Sequence, residues 1–464
     1  MNTEQLDLLV RSERIYTSGG WIDGYVGVRD GRVSAFFRAD EDPSAAELID
    51  VGPLHVLPGV VDTHVHFRDP GFTDKEDFET GSRSAAAGGI TTVFDMPNVD
   101  PVTSTVERFQ AHIRNAATKS IVDFGHNASA AHPENIAGLA AAGASSFKIF
   151  MMTDVGRSYP HMPETAVSSL RDMYRICEEV AKTGLTLFVH PHEQGIYELF
   201  VERAQESLGM GPESYATAWR DGDGSVFDVA IAGILQIQRA TGVKMHLLHS
   251  STVNTFEMVR AAKAEQRPVS TEINPFSIFL SHEWSRVQEM GPYSLGMWVP
   301  EKDVDAIWRA LLDGAGDVIG SDHGPHNIAE KEIGWKNMYA SPGGSPAVQD
   351  YLPLLLNAVN EGKLTLERLV ELCCTRPAEI AGVHPKKGTI SLGSDADFVV
   401  VDMDRVETIR TDSRYYKCGW TPYDGRTVKG VPVRTILRGR TIMLDGTVTG
   451  EVGGGQFVGN AEWL

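Results

Sequence analysis

The sequence predicts an α/β fold: a (β/α)8 TIM barrel with a small β-sandwich domain formed by the N- and C-terminal segments. Three observations carry this reading. Eight short, near-continuously apolar segments alternate with stretches whose apolar residues recur at helical spacing. The block that holds them, residues 58–384, exceeds the roughly 250 residues such a barrel usually needs, which leaves room for loop insertions. Outside that block, both ends of the chain read as short alternating strands joined by Gly and Asp turns.

Residues 1–57 contain DLLVRSERIYTSGGWIDGYVGVRDGRVSAFF, where the Asp-Gly pair of GVRDGRV signals a hairpin. The eight barrel strands follow in order: LPGVVDTHVH, ITTVFDMP, SIVDFGHNA, ASSFKIFMM, LTLFVHPH, KMHLLHSS, RPVSTEI and DVIGSDHG. ETAVSSLRDMYRICEEVAKTG represents the helices between them, and Gly184 marks its end. Residues 385–464 contain KKGTISLGSDADFVVVDMD and VRTILRGRTIMLDGTVTG, then EVGGGQFVGNAEWL, which reads as a tail. Neither end alone supplies much core, so both are expected to share one sandwich. The expected division is 1–57 (sandwich, first part), 58–384 (barrel) and 385–464 (sandwich, second part, and tail).

Composition narrows the function by exclusion. The 464 residues carry 62 acidic and 42 basic side chains, a net charge of −20. Such a chain, with no basic cluster, is expected to repel nucleic acid and anionic membrane. No apolar run is long enough to span a bilayer. The start, MNTEQLDLLV, lacks the basic region of a signal peptide, so a cytoplasmic protein is expected. Cys177, Cys373, Cys374 and Cys418 lack the spacing of a thiolate zinc site and read as structural. Any metal must then be held by histidine and carboxylate.

The polar residues of the strands point to such a site. His64 and His66 alternate on one face of the first strand, with Arg68 next in the same alternation. Lys148 lies inside the fourth strand, His190 ends the fifth, His249 the sixth and Asp322 the eighth. Barrel enzymes build their sites at the carboxyl ends of the strands. One such histidine is more often a satisfied polar residue; the set on separate strands is what carries the signal. A lysine in an apolar strand has a lowered pKa, and a neutral amine can react with carbon dioxide to give a carbamate that bridges two cations. The plainer alternative is a lysine that snorkels or pairs with an acid. Two divalent ions about 3.5–4 Å apart would share a hydroxide and polarise a carbonyl. Asp322 could then move a proton from the nucleophile to a leaving nitrogen. These are the requirements of amide hydrolysis.

These residues, together with GSRSAAAGGITTVFDMPN and KKGTISLGSDADFVVVD, resemble the cyclic amidohydrolases of the amidohydrolase superfamily: dihydroorotases, hydantoinases, dihydropyrimidinases and allantoinases. The resemblance spans nearly the whole chain. It implies a hydrolase of non-peptide carbon–nitrogen bonds in cyclic amides, two Zn2+ (Mn2+ or Co2+ can substitute), a carboxylated Lys148, and a homotetramer or homodimer. By position, His64, His66, Lys148 and Asp322 would hold the more buried metal, and Lys148, His190 and His249 the other. HFRDPG and MPNVDP resemble dihydroorotases, which implies that Arg68, Asn98 and His326 grip a substrate carboxylate. Pairing of Arg68 with Asp69 or Asp74 is the alternative. The second half departs from dihydroorotases at GMWVPEKD, and GSDHGPHNIAEKEIGWKNMYASPGGSPAVQDYLPLLLNAV is closer to hydantoinases and allantoinases. His192 in FVHPHEQG departs from both patterns by replacing an acidic residue. Tyr159 could donate to an oxyanion, as in hydantoinase-like members, and His126, Asn127 and Trp298 are candidates for the pocket wall. A hydantoinase- or dihydroorotase-type hydrolase is the leading reading. The alternatives are a dihydroorotase or allantoinase proper, or a non-catalytic dihydropyrimidinase-like scaffold.

Overall fold

A computed structural model of the chain describes residues 5–152, 163–280, 288–294, 299 and 301–459. Two sheets organise them. The first takes β1 (Leu6–Thr17), β2 (Gly20–Arg29), β3 (Arg32–Arg38), β4 (Ala45–Asp50) and β5 (His55–Pro58) from the start of the chain. The second is the parallel barrel: β6 (Val60–Val65), β7 (Ile90–Asp95), β8 (Asp123–Ser129), β9 (Ser146–Phe150), β10 (Thr186–His190), β11 (Lys244–Leu247), β12 (Val269–Ile273) and β13 (Val318–Ile319). The chain then returns to the first sheet with β14 (Phe398–Thr408), β15 (Thr427–Leu437), β16 (Arg440–Leu444) and β17 (Thr447–Val448).

The barrel strands pair in sequence order from β6 to β13, and a parallel bridge between Val65 and His323 brings the two ends together. All eight expected strands are present. They read as apolar because both faces are covered: β6, β7, β8, β9 and β12 are buried at every residue. The helix expected before β10 runs Leu170–Thr183; Ser169 accepts from the amide of Asp172 at its start, and Gly184 ends it at φ 72°. Two other helices matter below: α1 (Phe78–Ala87) and α2 (Val106–Ala117). No described helix is long and apolar enough to cross a membrane.

The two chain ends do share one sheet of nine strands. β5 pairs with β1 in parallel and with β14 antiparallel, so Leu57 faces Val399 across the seam between the segments. A buried ionic cluster ties this sheet to the barrel. Lys387 Nζ reaches Asp123 on β8, Asp395 (2.9 Å) and Asp397 (2.7 Å), and Arg438 reaches the other oxygen of Asp123. These acids hold the Lys387 ammonium above its ordinary range against the opposing effect of burial.

The expected tail is packed rather than loose. Phe124 donates its amide to Gln456 and accepts from Val458, while the Phe457 ring packs edge-on to Phe109 and tilted against Phe124. Gly455 lies so close to β8 that a Cβ there would stand 1.9 Å from the carbonyl oxygen of Val122. That approach explains the glycine at position 455.

Replacing Lys387 with Ala would leave three buried carboxylates facing one another. The expected loss is about 3–5 kcal/mol, read as a lower midpoint in urea unfolding followed by circular dichroism.

Candidate metal centre

Six groups singled out in the sequence lie at or just past the carboxyl ends of the strands. His64, Lys148 and His190 belong to β6, β9 and β10. His66, His249 and Asp322 lie beyond the last strand residue of β6, β11 and β13. The strands are shorter than the sequence suggests because the chain turns sharply there. His249 (φ 56°), Asp322 (φ 45°) and Arg68 (φ 62°) all adopt left-handed backbone. That conformation is unfavourable for a residue with a Cβ and is found where surrounding structure imposes it, often at functional sites.

The imidazoles converge. Asp322 Oδ1 lies 3.1 Å from His64 Nε2 and 3.4 Å from His66 Nε2, and Asp322 Oδ2 lies 3.6 Å from His249 Nδ1. The ring of His249 is 5.2 Å from that of His64 and 4.8 Å from that of His190, centroid to centroid. Lys148 is fully buried, its Nζ 4.3 Å from the centroid of the Phe150 ring and without a hydrogen-bond partner among the described residues.

Each of three rings is fixed through Nδ1, which at His249 is also the nitrogen beside Asp322. His64 Nδ1 is 2.8 Å from Glu272 Oε1, His66 Nδ1 is 2.8 Å from Asn98 Oδ1, and His249 Nδ1 is 2.9 Å from Asn274 Oδ1. The carbonyl oxygens of Asn98 and Asn274 can only accept, so Nδ1 of His66 and His249 carries the proton; at His64 the same tautomer pairs Nδ1–H with the carboxylate. Nε2 is then a bare lone pair, as in metal-binding histidines supported by a second partner. Asn274 also donates to Glu272 Oε1 (2.8 Å) and to the carbonyl of Gly320 (3.1 Å), linking the supports.

Electrostatics keeps the donors in ligand form. Burial pushes His64 down to about 3 and His249 down to about 4, partly offset by Asp322. Asp322 is held well below the usual carboxylate range, the imidazoles outweighing its own desolvation. Burial brings Lys148 down to about 7, against the attraction of Asp322 and Glu272. A large fraction of its amine is therefore neutral near pH 7. His64, His66 and Asp322 present ligand atoms within 4.8 Å of one another, as do His64, His249 and Glu272. Neutral imidazole nitrogens with an ionised carboxylate, and a buried amine and His64 Nε2 left unsatisfied among the described residues, are a donor set that fits a zinc-class divalent cation.

The remaining expectations divide. Arg68 is buried, with Nη2 3.2 Å from His326 Nε2 and Nε 3.3 Å from the carbonyl of Pro325. Asp69 instead pairs with Lys119, and Asp74 accepts from Asn327. Asn98 turns its Oδ1 to His66 Nδ1 and so supports that ring. His126 faces away towards α2, and Asn127 donates to the carbonyl of Thr63, so both are engaged within the wall. The His192 ring packs near Tyr197 and Trp219, and Glu193 accepts from the amide of Ile196 at the start of a helix. Tyr159 and Trp298 lie outside the described residues. All four cysteines are buried and free, in keeping with a structural role. The sequence reading missed Glu272 and Asn274. The signal was available: a carboxylate inside an apolar strand, as telling as the lysine in β9.

The amidohydrolase family pattern matches residues 55–442. An L-hydantoinase of Paenarthrobacter aurescens is 34% identical, covering 97% of this chain and 98% of its own. A dihydroorotase of Methanothermobacter thermautotrophicus is 33% identical, covering 93% of each. The solved L-hydantoinase of Arthrobacter aurescens superposes with a TM-score of 0.92 at 32% identity, covering 98% of this chain and all of that one. The barrel, its histidines and these similarities identify the chain as a member of the amidohydrolase family.

Proposed function

We propose that this protein is a binuclear-metal hydrolase that opens the ring of a small cyclic amide or imide. The observation that carries the proposal is the set of imidazoles held through Nδ1 around one carboxylate, beside the buried amine of Lys148, which has no hydrogen-bond partner among the described residues. In this reading His64, His66, Lys148 and Asp322 hold one divalent ion, and Lys148, His190 and His249 the other, with Lys148 carboxylated. Zinc suits the nitrogen and oxygen donors; manganese or cobalt would substitute. Bound there, the cations would lower the pKa of water and polarise the scissile carbonyl.

The chain's own groups supply the rest. Asp322 is ionised at neutral pH and partly open, so it can take the proton from the attacking water and deliver it to the ring nitrogen as the C–N bond breaks. Glu272, Asn98 and Asn274 fix the imidazoles so that no reorientation accompanies the reaction. Arg68 and His326 stand together, buried, and would orient the substrate. That pairing favours a ring bearing a carboxylate, since a guanidinium matches a planar anion. The dihydroorotase-like reading rests on it. The protein is proposed to act in the cytoplasm as a homotetramer or homodimer without nucleic acid or membrane partners. We also take residues 1–57, 58–384 and 385–464 as its division into sheet domain, barrel and sheet domain with tail.

Metal-replete protein is expected to contain two equivalents of metal at this centre and to turn over at least one of dihydroorotate, hydantoin, 5-substituted hydantoins, dihydrouracil and allantoin; chelation should abolish that activity and zinc restore it. Loss of every activity in metal-replete protein would point to a scaffold instead.

Asp322→Asn should lower kcat by about 10²–10⁴-fold in steady-state assays. Arg68→Ala should raise KM sharply for an anionic ring and leave that for plain hydantoin almost unchanged. Equal effects on both rings would remove the carboxylate reading.

A further inference from the structure

A second group of ligand-type side chains lies between the barrel wall and α2. It comprises Asp95 at the end of β7, His126 in β8 and His112 in α2, all buried. Asp95 Oδ2 lies 3.4 Å from His112 Nε2 and 3.8 Å from His126 Nδ1, and none of these three atoms makes a hydrogen bond among the described residues. The two imidazole rings are 4.0 Å apart, centroid to centroid.

The separations are too long for hydrogen bonds of about 2.7–3.2 Å. They are close to the roughly 3.3–3.5 Å edge of a tetrahedron with metal–ligand bonds of about 2.0–2.1 Å. The far side of the group is anchored. Asp95 Oδ1 accepts from the amide of Phe67 at 2.8 Å. His126 Nε2 lies 2.7 Å from Thr103 Oγ1. With the proton on that nitrogen, Nδ1 turns a lone pair towards Asp95. Asp95 and His126 thus each have one satisfied atom and a bare inward atom, the arrangement of a ligand held by an outer partner, while neither ring nitrogen of His112 makes a hydrogen bond among the described residues. Burial by itself disfavours charge here: it pushes Asp95 up to about 8 and His112 down to about 4. A cation at the centre would reverse the preference of Asp95 and use the neutral form of both histidines.

We propose that Asp95, His112 and His126 form a mononuclear site for a zinc-class divalent cation, separate from the centre at the barrel mouth. Its place in the fold gives it a structural task. It would join β7, β8 and α2. Through Asp95 it would also hold the amide of Phe67, the residue between His66 and Arg68.

The test uses crystals of the full-length protein grown with zinc, with anomalous data collected on both sides of the zinc edge. A peak between the three side chains is expected, and its absence overturns the proposal. Peaks at the barrel mouth are counted separately, so failure there leaves this result standing. Metal analysis gives a second readout. Folded His112→Leu should hold one equivalent of zinc less than the wild type, and equal content would count against the site. If that variant does not fold, the wild-type crystal decides.

Discussion

Each imidazole at the barrel mouth is useful only if its lone pair points inward, and an imidazole free to rotate would not stay so. The hydrogen bonds from Nδ1 of His64, His66 and His249 to Glu272, Asn98 and Asn274 remove that freedom. The supports are themselves fixed, Asn274 by Glu272 and by the backbone of Gly320. The site is therefore built into the rigid part of the barrel. The short left-handed turns at Arg68, His249 and Asp322 finish the job by swinging those three residues over the mouth.

This design has an energetic cost. Asp62, Glu272 and Lys148 are charged-type residues sealed in a barrel interior, and burial pushes each towards its neutral form: both acids up to about 7 and the lysine down to about 7. Asp62 is compensated in part by the amides of His64 and Ser321. A barrel chosen for stability alone would fill these positions with apolar side chains. Stability comes instead from the continuous apolar core around them and from the Lys387 cluster beneath.

The fold was legible because burial on both faces leaves a simple mark, eight apolar runs of strand length with helical stretches between. The candidate ligands were legible because alternation on a strand fixes facing, so His64 and His66 had to share a side. The contact of Asn98 with His66 was not legible because the two come from different strand ends, and spacing does not reveal such neighbours. The relation of His112 to His126 needs the register of a helix against a strand, which no local pattern encodes. The packing of residues 451–459 was hidden for the opposite reason. Those residues contribute mainly backbone hydrogen bonds, and glycine there signals close approach as readily as slack.

Chain order gives that last contact a meaning for biosynthesis. The segment that seals Phe124 on β8 leaves the ribosome more than three hundred positions after Phe124 itself, going by the numbering. β5 likewise waits for β14. A half-made chain thus carries an unfinished barrel wall and an open sheet edge, both able to associate with other unfinished chains. Production of the protein in a foreign host would therefore be governed by how long nascent chains linger in that state, and slower synthesis at low temperature or abundant chaperone would favour soluble yield.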